Sequence, residues 1–333
     1  MTSTETVRYG RRRIPVIGEL RVRGRTYRLL NEVGHAGRKR YWVHDPRAGP
    51  GGDFRQILVL PRGNTSRQHL AVLQRLSQGN PNLPTILDSA SQGDEIWVVT
   101  NWIRGPDLRS YLDEARSGKR KWPSPLEVIK LYRGVAHGLS QMHRHHRVLH
   151  GDIKPENLVL AREPNRLVMI DFGTAWMAER TTHRDLGDGT SRYYPAPELL
   201  REEPAVDPRA DQFSATVVAY EMLTGTRPYG EIGGEAGLPE NRAVYERLYR
   251  PPSQFSPMRR QVPQRIWRLV DEVLGRGLKL DPNDRFPSRQ PWLEALEDLH
   301  CEIRRKGRFG PLESTVLRLI GWFGDRVYRS DAI

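Results

Sequence analysis

The chain has 333 residues, of which 37% are hydrophobic and 28% are charged, a composition that is ordinary for a soluble globular protein and argues against intrinsic disorder. The formal net charge of +13 comes mainly from arginine, since only seven of the 53 basic residues are lysines; the arginines are scattered and form no known motif, which argues against a nucleic-acid partner. No apolar run is long enough for a membrane span or a signal peptide, and the single cysteine, Cys301, excludes an intramolecular disulfide, so the sequence predicts a cytoplasmic protein.

The first 102 residues are predicted to be mainly β-structure. Residues 1–20 are polar and basic and form an arm or a first strand, in which Arg8 to Arg13 are interpreted as a solvated segment. Alternating apolar residues indicate strands, and leucines at three-residue spacing indicate one helix. The predicted elements are a strand-like stretch from Leu20 to Val43, a strand over 54–60, a helix over 66–76 and a strand over 96–99.

From residue 103 onward the pattern changes to long helices, which are divided by loops rich in proline and glycine. The chain is therefore predicted to have an α+β fold, with a small, mostly β lobe over 21–102 and a larger, mostly α lobe over 103–306. The helices of the larger lobe are predicted over 107–116, 125–146, 208–224, 263–276 and 289–306.

The last segment, 307–333, has apolar residues at helical spacing, among them Leu312, Val316 and Ile320. An amphipathic helix there can dock on the large lobe, or it can present its apolar side to a regulatory partner or a membrane surface. The pattern alone does not separate these alternatives.

Three motifs in the large lobe carry the chemistry. They are His150-Gly-Asp-Ile-Lys-Pro-Glu-Asn157, Asp171-Phe-Gly173 and Ala196-Pro-Glu198. Their order and spacing resemble the catalytic loop, the metal-binding DFG motif and the APE motif of eukaryotic-type Ser/Thr protein kinases. The resemblance implies a bilobal protein kinase-like fold and the transfer of a phosphate from ATP to a hydroxyl group of a protein substrate, whose identity the sequence does not give.

The resemblance also implies a role for each polar residue of the first two motifs. Asp152 would orient the substrate hydroxyl, and Lys154 would reach the γ-phosphate of ATP. Asn157 and Asp171 would hold Mg²⁺ between the phosphates, because their side chains offer the hard oxygen ligands that this ion prefers. ATP and Mg²⁺ are therefore the expected cofactors.

Further residues match structural and regulatory positions of the family. Arg285 is expected to form a buried ion pair with Glu198, and Asp211 matches a buried aspartate. Gly151 stands where the family usually has an arginine that binds an activation-loop phosphate, so such a phosphate is not expected to be needed. The candidate phosphorylation sites, which are not expected to be an activation switch, are Thr181, Thr182, Thr190 and Ser191.

The small lobe departs from the family pattern. The strand that usually carries a phosphate-binding lysine has Leu58 at that position, and the glutamate that usually pairs with the lysine falls on His69. Gln56 stands where the family has a small alanine beside adenine. Lys39 is the only lysine in residues 1–118, and it lies at the third-glycine position of a degraded glycine-rich loop, as the working lysine does in with-no-lysine kinases.

These observations predict that Lys39 reaches the phosphates and that Tyr41, on the same face of its strand, packs on adenine. Thr100 would be the gatekeeper, and Asn101 to Ile103 would form the hinge. The alternative is that residues 38–40 form a solvated basic turn. The predicted ATP-binding residues are Gly34, Ala36, Gly37, Lys39, Tyr41, Thr100, Asn101, Ile103 and Val159.

Three functions remain open from the sequence. The first is a Ser/Thr protein kinase. The second is a pseudokinase that acts as a scaffold or an allosteric binding module, and the third is an enzyme of the same fold that transfers another group. A small lobe in which Leu58 and Gln56 fill the adenine pocket would argue against the first.

Overall fold

The computed structural model describes residues 5–33, 39–61, 64–146, 148–162, 165–171, 176–177, 193–200 and 207–306. Three groups of predictions lie outside these residues. They concern the glycine-rich loop (Gly34, Ala36 and Gly37), the candidate phosphorylation sites (Thr181, Thr182, Thr190 and Ser191) and the segment 307–333.

The small lobe is built on a six-stranded antiparallel sheet with the strand order β3-β4-β5-β6-β8-β7. One helix, α1, lies between the fourth and fifth strands of this sheet in chain order. The elements are β1 (Thr6–Tyr9), β2 (Arg12–Pro15), β3 (Gly18–Val22), β4 (Arg25–Glu32), β5 (Arg40–Asp45), β6 (Asp53–Pro61), α1 (Asn64–Gly79), β7 (Ile86–Gln92) and β8 (Glu95–Asn101).

The two faces of this sheet belong to different buried clusters, because successive side chains of a strand point to opposite faces. Ile57 of β6 packs with Val43 and Val99 on one face. Its neighbour Leu58 belongs to the main core on the other face, together with Leu73 of α1. This alternation decides which side chains face the large lobe.

Residues 6–15 form a hairpin of β1 and β2, which is packed against the sheet. Val7 is buried with Leu30 of β4, and the ring of Tyr9 makes an edge contact with Trp42 of β5 at a centroid distance of 5.2 Å. The basic side chains from Arg8 to Arg13 are exposed, as the solvated interpretation predicts. The amino-terminal segment is therefore part of the folded small lobe.

The large lobe is mainly helical, and the five helices predicted from periodicity agree with the structure to within one residue at each end. Its central helix, α4, is buried on every side and ends at Gly225, whose φ of 79° is the left-handed conformation that glycine adopts without strain. No helix in the described part of the chain is long and apolar enough to cross a membrane. The elements are α2 (Leu108–Arg116), α3 (Pro125–His146), β9 (Val148–Leu149), β10 (Leu158–Ala161), β11 (Arg166–Met169), β12 (Trp176–Met177), α4 (Arg209–Thr224), α5 (Pro239–Leu248), α6 (Gln264–Gly277) and α7 (Arg289–Lys306).

The connection between the lobes runs from the end of β8 to the start of α2, and it lies directly against β10. The Leu160 amide donates a hydrogen bond of 2.9 Å to the Pro106 carbonyl. Gly105 is packed so closely that an added Cβ atom would overlap the Leu160 carbonyl group. Because glycine has no side chain, the hinge can lie this close to β10 of the large lobe at Gly105.

We expect Gly105→Ala to lower the free energy of unfolding by about 1–3 kcal/mol, because backbone on both sides must move to admit the methyl group. Gly79→Ala is the matched control. Its added Cβ atom meets no atom within 4 Å, and it lies in the last turn of α1, where alanine is favoured over glycine. Urea unfolding of the two variants checks the prediction, and equal midpoints would contradict it.

Candidate active site

The catalytic loop predicted from the sequence is a tight connection between two short strands. It leaves β9, passes through residues 150–157 and enters β10, which pairs with β11. This hairpin returns the chain to the loop, where the Ile170 amide donates a 2.8 Å hydrogen bond to the Asn157 carbonyl. Asp171 follows immediately, so the hairpin brings the second motif beside the first.

Asp152, Lys154 and Asn157 lie together in this loop. Lys154 Nζ is 3.0 Å from Asp152 Oδ2. Asn157 Nδ2 donates one 2.9 Å hydrogen bond to the same carboxylate and a second of 2.9 Å to the Asp152 carbonyl. The carboxylate of Asp152 is therefore held in one orientation next to a cation.

The beginning of the loop is held by Asp211 of α4. Its carboxylate accepts hydrogen bonds from the amides of His150 and Gly151, at 2.8 and 2.9 Å, and from His143 Nε2 at 2.9 Å. Burial alone would raise the pKa of Asp211, but the hydrogen bond and charge of His143 outweigh it, and the pKa lies below its ordinary value. Gly151 has a φ of 72°, so glycine is the residue that this turn accommodates without strain.

Asp171 is buried at the boundary between the lobes. Its φ of 70° is in the left-handed region, which aspartate tolerates better than most residues. Its carboxylate forms an ion pair and a hydrogen bond with Arg40 of β5 in the small lobe. Arg40 thus joins the two lobes at the predicted metal ligand.

The structure corrects the prediction for Lys39 and Tyr41. Lys39 is exposed, and its Nζ lies 3.0 Å from Glu95 Oε1; this hydrogen bond raises the pKa of Lys39. The ring of Tyr41 stacks on Trp97 at 5.8 Å. The two residues do share a face, as predicted, but it is the face turned away from Asp171. The prediction that Lys39 reaches the phosphates and Tyr41 packs on adenine is therefore wrong in this structure.

The cause is a shift of one residue in the alignment of β5. In the observed register Arg40 lies opposite Leu58 and Trp42 lies opposite Gln56. Directly opposed residues of an antiparallel pair point to the same face, so Arg40 and Trp42 line the cleft. The departure at Leu58 is accommodated by apolar packing, while the side chain of His69 lies outside the described part of the chain.

The cleft face of the small lobe carries buried polar atoms. Thr100 is 0% exposed and lies opposite Gln56, which is 9% exposed. Three side-chain atoms of this face have no hydrogen-bond partner among the described residues: Arg40 Nε, Trp42 Nε1 and Thr100 Oγ1. Such atoms are costly when buried alone, so they indicate a face that meets a polar ligand.

The other predicted ATP-binding residues lie at the edge of the cleft. Both the amide and the side-chain oxygen of Asn101 bind the backbone of Thr85, at 3.1 and 2.7 Å. Ile103 is half-buried in the hinge, and Val159 is buried in β10, two residues after Asn157. Their contacts with adenine stay predictions.

A polar network beside the catalytic loop was not predicted from the sequence. Arg109 of α2 binds Glu156 of the loop at 2.9 Å and Glu221 of α4 at 2.8 Å, and the Tyr194 hydroxyl donates to Glu221 at 2.7 Å. Burial would raise the pKa of Glu221, but Arg109 outweighs it and the pKa is lowered. The network ties the catalytic loop to two helices, and no sequence motif distinguishes Arg109 from the many other arginines.

The comparisons with known proteins agree with this geometry. The family described as Protein kinase domain matches residues 61–295. Serine/threonine-protein kinase pkn3 of Myxococcus xanthus is 28% identical over 237 residues, which cover 68% of this chain and 40% of that protein. Serine/threonine-protein kinase PkaB of Streptomyces coelicolor is 29% identical over 213 residues, which cover 61% of this chain and 46% of that protein. The chain thus spans less than half the length of either relative.

A solved structure shows the same fold. The Cydia pomonella granulovirus kinase PK-1 is similar with a TM-score of 0.61 and 18% identity, and the match covers 81% of this chain and 93% of that chain. The bilobal α+β fold predicted from the sequence is confirmed.

Proposed function

This chain belongs to the protein kinase domain family, and on that premise we propose that it is a Ser/Thr protein kinase that transfers the γ-phosphate of ATP to a protein hydroxyl. The observation that carries the proposal is the arrangement of Asp152, Lys154 and Asn157, whose side chains meet within 3.0 Å in one loop. Phosphoryl transfer needs mainly positioned groups and charge neutralisation, which these three residues offer.

The residues near Asp171 fit a magnesium ion and phosphate groups. Asn157 uses its Nδ2 atom to bind Asp152, which leaves its Oδ1 atom as a ligand for a cation. This oxygen and the Asp171 carboxylate are the hard donors that Mg²⁺ prefers, and the orphaned Nε donor of Arg40 suits a phosphate. Bound Mg²⁺ would neutralise the charge that develops on the transferred phosphate.

The residues of the catalytic loop would then have separate roles in phosphate transfer. Asp152 accepts a hydrogen bond from the substrate hydroxyl and takes its proton as transfer proceeds. Lys154 places a positive charge beside the same carboxylate, where it meets the γ-phosphate. Asp211 holds the start of the loop through the amides of His150 and Gly151. Because Gly151 replaces the usual arginine, an activation-loop phosphate would not be needed to order the loop.

The proposal extends to the substrate, a partner and the location. The substrate would be a protein, since the family acts on proteins, and a regulatory partner at the segment 307–333 is proposed as the alternative to docking of that segment on the large lobe. A cytoplasmic location is part of the same proposal.

One observation favours the second candidate, a pseudokinase that works as a binding module. Gln56 and Leu58 are only 9% and 5% exposed, and Trp42 stacks on Trp102 of the hinge at 5.2 Å. These side chains narrow the region in which the adenine ring would lie. A module of this kind would keep the fold and bind partners without transferring phosphate.

The deciding experiment is transfer of labelled phosphate from MgATP to the protein itself and to a generic basic protein, followed by identification of the phosphorylated amino acid. Wild type and Asp88→Asn are expected to label serine or threonine, because Asp88 pairs with Arg23 on the surface. Asp171→Asn is expected to lose the label, because it removes the charge that holds Mg²⁺.

Two results of this experiment would contradict the proposal. No labelling by wild type, together with no rise in melting temperature when MgATP is added, would contradict the kinase proposal and support the binding module. Labelling of tyrosine alone would contradict the Ser/Thr assignment.

A further inference from the structure

We propose that Arg40 is the residue that binds the α- and β-phosphates of ATP, in place of the strand lysine that Leu58 replaces. This inference rests on the proposed function and adds the identity of its phosphate-binding cation.

The register places Arg40 at the right position. Arg40 and Leu58 are opposed across β5 and β6, so their Cβ atoms are about 4.5–5.5 Å apart on one face of the sheet. An arginine side chain is long enough to cover that offset. Its guanidinium group reaches across the lobe boundary to the carboxylate of Asp171, the proposed magnesium ligand. The positive charge therefore lies where the phosphates must lie.

The charge of Arg40 is poorly solvated. The side chain is 16% exposed and its partner Asp171 is 5% exposed, so both charges depend on each other. The Nε atom is buried and has no hydrogen-bond partner among the described residues. A guanidinium group carries five N–H donors in a fork that matches phosphate oxygens, and it stays protonated at every physiological pH. Arg40 thus has a donor that the folded protein alone does not satisfy.

The packing of Leu58 explains how the phosphate-binding cation can lie on the neighbouring strand β5 instead of on β6. In the family pattern the lysine at this position also forms an ion pair with a helix glutamate. Here Leu58 joins the apolar core together with Leu73 and Leu76 of α1. Apolar packing replaces a buried ion pair without loss of stability in many proteins. Leu58 therefore takes over the structural role, and Arg40 is left with phosphate binding.

The test measures binding rather than activity. ADP and adenosine are titrated separately, in the presence of Mg²⁺, into the wild type, Arg40→Ala, Arg40→Lys, Lys39→Ala and Arg28→Ala, with affinities obtained by calorimetry. Arg28 is an arginine of β4 that pairs with Glu5, and it serves as the matched control. Adenosine has no phosphate, so it reports on the rest of the nucleotide site and on the integrity of the fold.

We expect Arg40→Ala to weaken ADP binding by about 10- to 100-fold, the effect of losing hydrogen bonds between charged groups, and to leave adenosine binding within about twofold. Arg40→Lys should retain part of the ADP affinity, because the charge remains while the fork is lost. Arg28→Ala should bind both compounds as the wild type does.

Two results would overturn the proposal for Arg40 without affecting the proposed function. One is wild-type affinity for ADP in Arg40→Ala, and the other is loss of ADP affinity in Lys39→Ala in place of Arg40→Ala. In either case ADP still binds the wild type, so the proposed function stands. A wild type that binds neither ADP nor adenosine would overturn this inference and the kinase proposal together.

Discussion

Asp152→Asn is expected to lower the rate of phosphate transfer by about 10²–10⁴-fold, the usual contribution of a positioned proton acceptor. The asparagine amide has the same size as the carboxylate, but it cannot take a proton from the substrate hydroxyl. Asp152 is held by Lys154 and Asn157 at 3.0 and 2.9 Å. Both contacts lie within the catalytic loop, so neither of them fixes the loop to another helix or strand. The loss should therefore fall on transfer, with little change in stability.

The measurement is a comparison of kcat, nucleotide affinity and melting temperature in the wild type and the variant. Asp113→Asn is the control, because Asp113 is an exposed aspartate that pairs with Arg116 on the surface. We expect the control to keep wild-type values in all three measurements. If Asp152→Asn kept a rate within a few-fold of the wild type, Asp152 could not be the proton acceptor.

The large lobe was predictable because its signals are local. The five predicted helices are continuous segments divided by loops rich in proline and glycine, and the motifs from His150 to Asn157 and at Asp171 are also continuous in sequence. The short helix α5, which has no buried residue, was not predicted. The resemblance to the kinase family also predicted the pair of Glu198 and Arg285, which the structure contains. The network of Arg109 had no such signal, because its partners come from three distant segments.

The small lobe shows where sequence reasoning fails. Which face a strand residue occupies depends on its register against the next strand, and a shift of one residue exchanges the faces. The loop before β5 has no firm motif to fix that register, so the sequence predicts Lys39 in the cleft where the structure has Arg40. The cross-strand partner of Leu58 would have been the better guide, since it must share the face of the missing lysine. The hairpin of β1 and β2 was likewise hidden by its polar composition.

Arg285→Met is expected to lower the free energy of unfolding by about 3–5 kcal/mol, because it leaves the buried carboxylate of Glu198 without its partner. Arg285 and Glu198 form two hydrogen bonds of 2.7 and 2.9 Å, and their side chains are 0% and 2% exposed. The guanidinium also donates to the carbonyls of Lys279 and Arg209, at 2.7 and 3.0 Å, and lies over the Phe213 ring. The loss is a large part of the 5–15 kcal/mol by which domains are typically stable.

Two further variants separate charge burial from packing. Arg276→Met removes an exposed arginine that lies over the Phe286 ring at 4.5 Å, and it should cost no more than about 1 kcal/mol. The double variant, Arg285→Met with Glu198→Leu, removes both charges. Its loss of unfolding free energy should therefore be smaller than the sum of the losses in the two single variants, by about 0.5–3 kcal/mol. Urea unfolding of Arg285→Met, Glu198→Leu, the double change and Arg276→Met gives these values. The ion pair would not hold the Ala-Pro-Glu segment on the large lobe if the single changes at Arg285 and Glu198 each cost under 1 kcal/mol. The same would follow if their free-energy losses were simply additive in the double variant.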